Sequence, residues 1–441
     1  MSTTTDTATT PLIGDIEQFL RTIIAQMEPE PRPSGPGRPR ILPALALWGG
    51  LLLCVLKGFS SQTALWRLLT FHGLWSYPRF AISDEAVYKR LEHGGLQALQ
   101  GLFERVRQEL AARLQPYALS KLAPFASEVV ALDETTLDQV ARSLPALRGL
   151  PPGDRRLLPG KLAGLFDLRH QCWRWVRYIP EAQQNEKVVA REMLQGLPRG
   201  SLILADLGYF AFPWFDWLTD QGHYWISRLR AKTSYQVLHV FYQCGDVLDA
   251  VIFLGAHRAD RAAHAVRLVQ FTIGKRTYRY ISNVLDPELL SVAEIAALYA
   301  RRWDIELAIK LVKQHLKLHL LWSAKPVVIQ QQIWAALIIS QILQALRLEI
   351  AGRAKVDPYE VSMALLVEYA PRLAAEGRDP VAVFVEHGRA AHFIRPSRRT
   401  EIKAPTIPPE EMHPLPADIV LWRKPRYAHR KCHRRGSKEA N

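Results

Sequence analysis

Short apolar runs that end in a carboxylate occur twice in the central part of the chain. Residues 128–133 read Glu-Val-Val-Ala-Leu-Asp, and residues 201–206 read Ser-Leu-Ile-Leu-Ala-Asp. Runs of this kind, without alternating polar positions, are typical of strands buried on both faces of a sheet. Residues 223–229 form a third run, and residues 161–166 and 172–179 have the pattern of a hairpin. These segments predict the strands of an α/β protein.

Helical periodicity follows the strands. Residues 183–194 predict a helix that stops before Gly196, and residues 293–321, which contain no Gly or Pro, predict one long helix. The order strand, strand, strand, helix, strand, helix, strand is that of a ribonuclease-H-like core, a mixed sheet flanked by helices. Residues 230–276 are again strand-like, which predicts a β-rich insertion before the long helix.

The first 120 residues are predicted to be helical. One helix is expected to begin at Ser83, a residue type that caps helix N-termini, with acids in the first turn. We divide the chain into four consecutive ranges: an amphipathic helix and a proline-rich basic linker at 1–40, a helical domain that is a candidate for DNA binding at 41–120, the α/β domain with its insertion at 121–350, and a C-terminal region with a basic tail at 351–441.

Composition narrows the class of partner. The chain has 441 residues, with 57 Lys and Arg against 42 Asp and Glu, a net charge of +15. Such an excess favours a polyanionic partner, nucleic acid first and an anionic membrane second, although a basic surface can also serve solubility alone. The N-terminal segment lacks the basic and apolar regions of a signal peptide, so we expect a cytoplasmic protein.

The cysteines and the apolar segments exclude other classes. Cys54, Cys172, Cys244 and Cys432 are widely scattered, which argues against a disulfide framework and a structural zinc site. The apolar segment 41–56 is slightly short for a membrane span, and segment 327–346 is interrupted by glutamines and a serine. We predict that both are buried helices and that the protein does not bind a membrane.

The candidate chemistry begins on the predicted helix 293–321, with Tyr299, Arg302, Glu306 and Lys313. At about 100° per residue, their spacing places all four side chains within an arc of roughly 60°. A carboxylate that can hold a metal ion then shares a ridge with two cations that can hold phosphates. Taken alone, a solvated helix face with salt bridges explains the pattern equally well.

A neighbouring apolar stripe is expected to seat this helix on a core. Its members are Ile305, Ile309, Val312 and Leu316. Asp304 lies roughly 140° around the helix from Tyr299, so we expect it to be an ordinary surface charge.

Asp133 and Asp206 supply two further acids, each at the end of an apolar run. A carboxylate at the end of a buried strand must be paired or must bind a cation, and strand ends of α/β sheets are where ligands bind. Either acid alone is more often a helix cap or a turn residue. Together with Glu306 they form a three-carboxylate set suited to two Mg²⁺ ions, which prefer oxygen ligands.

With these residues in place, the chain resembles the DDE transposases of the IS-four insertion-sequence family. The diagnostic pattern of that family is a Tyr, two residues, Arg, three residues, Glu, six residues and Lys, and Tyr299, Arg302, Glu306 and Lys313 fit it at every position. Residues 206–210 also look like the segment around the second acid of the family. The resemblance covers about residues 128–346.

The resemblance implies a ribonuclease-H-like catalytic domain in which Asp133, Asp206 and Glu306 bind two Mg²⁺ ions, with Mn²⁺ as a substitute. Arg302 and Lys313 would hold DNA phosphates, and Tyr299 would contact the backbone of the transposon end. Members of the family cut DNA at terminal inverted repeats and join the freed 3′-hydroxyls to target DNA, some through a hairpin intermediate. They act as a dimer in a synaptic complex.

Further DNA contacts are expected outside this set. Lys310 and Lys317 lie on the same predicted helix. Some family members carry a Trp in the strand before it, where this chain has Tyr278 and Tyr280; either ring could stack on a base, or could be a core tyrosine.

Two basic segments flank the domains. Arg38 and Arg40 belong to a Gly-Arg-Pro-Arg sequence that resembles a minor-groove hook, and a solvated linker is the alternative. The tail 423–438 suits phosphate contact, and a solvated terminus that touches DNA only weakly is the alternative. We therefore expect an insertion-sequence transposase that binds its DNA ends. The rival hypotheses are a catalytically silent DNA-binding protein derived from such an enzyme, and a nuclease without strand transfer.

Overall fold

The structure is a computed structural model that describes residues 16–27 and 41–427, with gaps at 76, 138–145, 147, 152–153, 155–156, 158–159, 182–183, 257–259, 319, 324 and 398–401. Arg38, Arg40 and the part of the basic tail that begins at residue 428 lie outside the described residues.

The central part of the chain forms a mixed sheet. Its strands are β1 (Val129–Thr136), β2 (Lys161–Asp167), β3 (Cys172–Ile179), β4 (Leu202–Ala205), β5 (Tyr224–Arg228), β6 (Tyr235–Cys244), β7 (Val247–Leu254), β8 (Ala265–Ile273) and β9 (Arg276–Ser282). They hydrogen-bond in the order β3-β2-β1-β4-β5-β9-β8-β7-β6. β4 runs parallel to β1 and to β5, whereas the β2–β3 hairpin and the pairs from β5 through β9 to β6 are antiparallel. This mixed sheet confirms the predicted α/β, ribonuclease-H-like fold, and β6 to β8 confirm its β-rich insertion.

Helices precede the sheet, flank it and follow it. They are α1 (Ile16–Ala25), α2 (Ala44–Leu56), α3 (Gln62–Arg67), α4 (Asp84–Glu92), α5 (Gln97–Leu114), α6 (Glu186–Leu194), α7 (Phe212–Asp220), α8 (Val292–Arg301), α9 (Trp303–Lys310), α10 (Pro326–Ala354), α11 (Met363–Ala375) and α12 (Pro380–Glu386). The predicted cap of α4 is observed, because Ser83 Oγ accepts a hydrogen bond of 3.2 Å from the Ala86 N–H.

Two compact units divide the chain, and each is assembled from segments distant in sequence. The first unit consists of residues 1–120, 133–185 and 303–400, and the second of residues 121–132, 186–302 and 401–441. The four consecutive domain ranges drawn from the sequence stay predictions.

A long buried helix organises the first unit. α10 packs against α2, α4 and α5 and against the later helices α11 and α12. Its buried glutamines bond to the backbone of its neighbours; Gln331, for example, donates to the carbonyls of Leu91 and Gly94 at 2.9 and 2.8 Å. By length and composition α10 could cross a membrane, but its apolar window is entirely buried inside the protein, as a core helix would be. α2 is buried as well, so both apolar segments are the buried helices predicted from the sequence.

A buried ion pair joins two strands of the second unit to the segment before α8. The Arg267 guanidinium on β8 donates to both carboxylate oxygens of Asp249 on β7, at 2.7 and 2.6 Å, and both side chains are 0% exposed. Its remaining nitrogen donates to the carbonyl of Leu290 at 2.5 Å. The pair thereby satisfies its own charges where water is excluded.

Residues 412–427 complete the second unit. A buried apolar cluster on β6 to β8 is covered partly by Met412, Leu415 and Leu421. Backbone bridges join Arg261 to Arg426 and His264 to Trp422. This segment is therefore part of the folded β-rich region.

We predict that Arg267→Met lowers the free energy of unfolding by about 3–5 kcal/mol, because Asp249 would be left as an uncompensated buried charge. Chemical denaturation followed by circular dichroism measures this loss. The matched control is the double variant Arg267→Met/Asp249→Leu, which removes both charges and should lose less. An equal loss in the single and double variants would contradict this account of the pair.

Candidate active site

Asp133 and Asp206 directly follow two residues that are paired in neighbouring strands. β1 and β4 are parallel, and their register ends with Leu132 opposite Ala205. Asp133 and Asp206 are the next residues of the two chains, and both are half-buried after fully apolar runs. β1 continues to Thr136, so Asp133 lies within its strand rather than at the strand end expected from the sequence.

Asp206 begins a tight turn in the second unit. Its Oδ1 accepts a hydrogen bond of 2.8 Å from the Gly208 N–H and caps the 3₁₀ turn Leu207–Tyr209. A Cβ at Gly208 would lie 2.9 Å from that oxygen and 3.1 Å from a carboxylate oxygen of Glu186. A larger residue at position 208 would therefore have to displace one or both of these carboxylate oxygens.

Cations surround this turn, and the sequence analysis missed them. Lys187 donates to the carbonyl of Gly208 at 2.9 Å. Arg230 donates to the carbonyl of Leu207 at 2.9 Å, and its guanidinium lies 4.9 Å from the ring centroid of Phe210. The signal for Arg230 is the Arg-Leu-Arg sequence at residues 228–230, where the third apolar run ends. Charged residues at strand ends were considered only when they were acidic.

Tyr299 and Arg302 belong to the same unit as Asp206, and each is only 8% exposed. The Arg302 guanidinium lies 6.0 Å from the Tyr299 ring centroid. Burial raises the pKa of the Tyr299 hydroxyl, the charges of Arg302 and Arg228 oppose this shift, and Asp206 adds to it. The tyrosine hydroxyl therefore shares one electrostatic environment with Asp206 and two arginines. Arg228, the last residue of β5, was also missed.

Tyr280 packs in the core of the second unit. It is 2% exposed, and its ring centroid lies 5.2 Å from that of Tyr299 and 6.4 Å from that of Tyr278. Burial raises the pKa of Tyr280 to about 12. This environment favours the core-tyrosine alternative, and contact between Tyr280 and DNA stays a prediction.

The single helix predicted for residues 293–321 is wrong. α8 ends at Arg301, and the N–H of Arg302 bonds to the carbonyl of Tyr299, three residues back, at 3.1 Å. α9 begins at Trp303 and passes into a π-helical turn at Leu311–His315. A tightened turn and a π turn both change the angle per residue, so the uniform 100° per residue used for the four motif residues does not apply throughout, and their common arc stays a prediction. Hydrophobic periodicity does not report such local changes of pitch.

The buried face of α9 is partly as predicted. In the apolar stripe, Ile305, Val312 and Leu316 are buried and Ile309 is half-buried. Asp304 is not the expected surface charge, because it is 0% exposed and accepts a hydrogen bond of 3.0 Å from Gln171. The helical angle alone could not show that another polar side chain covers this face.

Glu306 and Lys313 lie in the first unit with Asp133. Glu306 is half-buried in the first turn of α9. The Lys313 ammonium donates to Thr135 Oγ1, on the strand that carries Asp133. Thr135 was not among the residues selected from the sequence. Lys310 is exposed, and Lys317 is exposed and donates to the carbonyl of Gly58 at 3.3 Å.

The carboxylate next to Asp133 has an internal partner. Glu134 forms an ion pair of 2.5 Å with Lys161, and both side chains are less than a tenth exposed. Lys161 also donates to the carbonyl of Gln184 at 2.7 Å. Glu134 thus serves the structure of the first unit, as the alternation of side chains along β1 allows.

The candidate acids match a divalent cation by donor type. Asp133, Asp206 and Glu306 offer carboxylate oxygens, the ligands that Mg²⁺ and Mn²⁺ prefer. Within the described ranges, no group of three or more His, Cys, Asp or Glu side chains is gathered around one point. The donor chemistry therefore fits such an ion, and the assignment of these acids as its ligands stays a prediction.

Comparison with known proteins identifies the family of the central region. Residues 125–342 match the family model described as the transposase DDE domain. The putative transposase y4zB of Sinorhizobium fredii is 23% identical over 214 residues, which cover 47% of this chain and 59% of that protein. The transposase InsG for insertion sequence element IS4 of Escherichia coli is 22% identical over 181 residues, 39% of this chain and 41% of that protein. These matches confirm the resemblance, and they span less than two thirds of the relatives.

A solved structure is also similar. It is the cryo-EM structure of the piggyBac transposase synaptic complex with hairpin DNA, with 11% sequence identity and a TM-score of 0.39 over 86% of this chain and 80% of that one.

We predict that Tyr280→Phe removes a pH-dependent component of stability. The folded-state pKa of about 12 exceeds the ordinary value of 10.0, so the neutral phenol is favoured in the folded chain. This contribution is complete below pH 10 and is lost as the pH rises towards 12. Between pH 9 and pH 11 the wild type should lose about 1 kcal/mol more unfolding free energy than the variant. Urea denaturation at both pH values tests this, and equal losses would contradict the buried phenol.

Proposed function

Because residues 125–342 match the family model of the transposase DDE domain, we propose that this chain is the transposase of an insertion sequence of the IS-four type. It cuts DNA at the terminal inverted repeats of its element and joins the freed 3′-hydroxyls to target DNA. The observation that carries this proposal is the β1–β4 register, which brings two parallel strands to Leu132 and Ala205 immediately before Asp133 and Asp206.

In this proposal Asp133, Asp206 and Glu306 hold two Mg²⁺ ions, which Mn²⁺ can replace. When bound, the ions lower the pKa of the attacking hydroxyl and stabilise the leaving oxygen of an in-line displacement. The protein contributes the carboxylates, which apolar strands and the short helix α9 hold in half-buried positions.

The basic residues bind and orient the phosphates. Arg302 presents a planar guanidinium that can fork onto two phosphate oxygens, and Arg228 adds a second guanidinium to the same unit. Tyr299 is protonated at neutral pH, as its ordinary pKa of 10.0 already requires, and burial raises that pKa further; its hydroxyl can therefore donate a hydrogen bond to the backbone of the transposon end.

DNA is the partner that the charge distribution favours. Lys310, Lys313 and Lys317 follow one another at intervals of three and four residues, and the whole chain carries +15. In the proposed function they contact the phosphate backbone, as do Arg38, Arg40 and the basic tail. Two copies act together in the synaptic complex, and the protein works in the cytoplasm.

We predict that Asp133→Asn, Asp206→Asn and Glu306→Gln each reduce DNA cleavage by more than about 100-fold, because each removes a charge from the proposed metal ligands. The measurement is cleavage, with Mg²⁺, of a supercoiled plasmid carrying the genomic DNA that flanks this coding sequence on both sides.

The control is Asp246→Asn, which neutralises an exposed acid in the β6–β7 turn and should retain activity. Undiminished cleavage by the three active-site variants rejects the proposal. Absence of cleavage by the wild type, with retained binding of the ends, would instead identify the silent DNA-binding protein. Cleavage without joined products in a two-plasmid assay would identify the nuclease.

We also predict that Lys313→Ala weakens the binding of end DNA and makes the logarithmic dependence of affinity on salt shallower by about 1, because one phosphate contact is lost. Binding is measured by fluorescence anisotropy over a series of salt concentrations. The control is Lys355→Ala, at the exposed C-terminal end of α10, which should keep the wild-type slope. An unchanged slope for Lys313→Ala would remove this residue from the DNA contact.

A further inference from the structure

The helix that carries Glu306 is short and irregular at both ends. α9 spans Trp303–Lys310, follows a break at Arg302, and continues as the π-helical turn Leu311–His315. Its rotation about its own axis is therefore set by the side chains on its buried face. Ile305 and Ala308 are fully buried, but apolar contacts have no direction. Asp304, also 0% exposed, is the charged member of this face.

Gln171 holds Asp304 from the hairpin of β2 and β3. Its side chain is 0% exposed, and Nε2 donates to Asp304 Oδ2 at 3.0 Å and to the carbonyl of Leu168 at 2.9 Å. A carboxylate buried to this extent needs such a donor, since removing it from water is costly. The contact fixes one point of the first turn of α9.

The other end of the same amide is fixed as well. Gln171 Oε1 accepts hydrogen bonds from Arg347 Nη2 and from the Tyr359 hydroxyl, each at 3.0 Å. The Arg347 guanidinium lies 4.3 Å from the Tyr359 ring centroid. All four hydrogen-bonding positions of the amide are thus used. Rotation of the amide by half a turn would place its NH₂ group against two donors, so its orientation is determined.

The backbone of Gln171 adds an independent observation. Its φ is +53°, in the left-handed region that favours glycine and is uncommon for a residue such as glutamine. A hairpin turn alone would be better served by glycine here. The chain keeps glutamine at this strained backbone position, and the side chain uses all of its hydrogen-bonding positions. Together these facts indicate that the side chain has a role of its own.

We propose that Gln171 is a positioning residue for Glu306. Asp304 and Glu306 are two positions apart, about 200° around the helix, so anchoring Asp304 on the buried face sets the direction of Glu306 on the other. Small displacements of a reacting group reduce rates strongly, and the residues that orient metal ligands share this sensitivity. The inference rests on the proposed function, because it assumes that Glu306 is a catalytic ligand.

The test compares Gln171→Met with Gln331→Met in the full-length chain. Gln331 is also 0% exposed and also donates two hydrogen bonds, but both go to backbone carbonyls, those of Leu91 and Gly94, and neither reaches α9. We expect Gln171→Met to accelerate amide hydrogen exchange in residues 303–310 in the absence of metal. It should also slow cleavage of the flanking-DNA plasmid by about 10- to 100-fold. Gln331→Met should change neither, at a comparable loss of thermal stability.

Gln171→Gly separates the turn from the amide. Glycine relieves the backbone at φ +53° but deletes every side-chain hydrogen bond. If Gln171 positions Glu306, this variant still loses cleavage and protection in residues 303–310, although its turn is relieved. If Gln171 only forms the turn, the glycine variant cleaves normally, and the proposal is overturned.

If both Gln171 variants fold poorly, Tyr359→Phe provides a milder test, because it removes a single hydrogen bond to the amide. It should accelerate exchange in residues 303–310 and slow cleavage, each to a smaller extent. Normal exchange and normal cleavage in Tyr359→Phe would overturn the proposal.

Glu306→Gln distinguishes the two levels of failure. If Glu306→Gln cleaves like the wild type, the proposed function itself fails. If Glu306→Gln is inactive while Gln171→Met and Gln171→Gly retain wild-type cleavage and exchange, the proposed function stands and the role of Gln171 is rejected.

Discussion

Charge buried beside apolar strands must be compensated, and this constraint governs both units of the protein. In the second unit, Asp249 and Arg267 are fully buried and satisfy each other through two hydrogen bonds. In the first unit, Glu134 is paired internally with Lys161. Asp206 differs from these acids, because it is half-buried in a turn whose carbonyls are held by cationic side chains. A carboxylate in such a position is suited to a ligand from outside the chain.

The same constraint explains how an irregular helix can present a precise group. α9 is bounded by a break and a π turn, so continuous helix geometry does not orient Glu306. Asp304 cannot stay buried without hydrogen-bond donors, and the amide that supplies one of them, Gln171, is itself fixed by Arg347 and Tyr359. The hydrogen bonds that compensate the buried charge of Asp304 thus run from Arg347 and Tyr359 through Gln171 to a position two residues from Glu306, the proposed catalytic acid.

Much of the fold followed from local pattern. Continuous apolar runs identified β1, β4 and β5, and further strand-like segments identified the β2–β3 hairpin and the insertion, because strand burial leaves a direct trace in the order of residues. Asp133 and Asp206 were selected for a similar reason, since a carboxylate at the end of an apolar run is conspicuous. Glu306 was selected by its helical spacing from neighbouring basic residues. The spacing of Tyr299, Arg302, Glu306 and Lys313 then indicated the family, which the match to residues 125–342 confirms.

The sequence by itself determined the strands, the candidate acids and the family, because these depend on neighbours within a few residues. Only the tertiary structure decided that Asp304 is buried, that Tyr280 lies in the core and that the helix breaks at Arg302. The partners concerned are remote: Gln171 and Asp304 are 133 residues apart, and Thr135 and Lys313 are 178 apart. Hydrogen bonds between such residues form only when the fold brings the two segments together, and no local period in the sequence records that event.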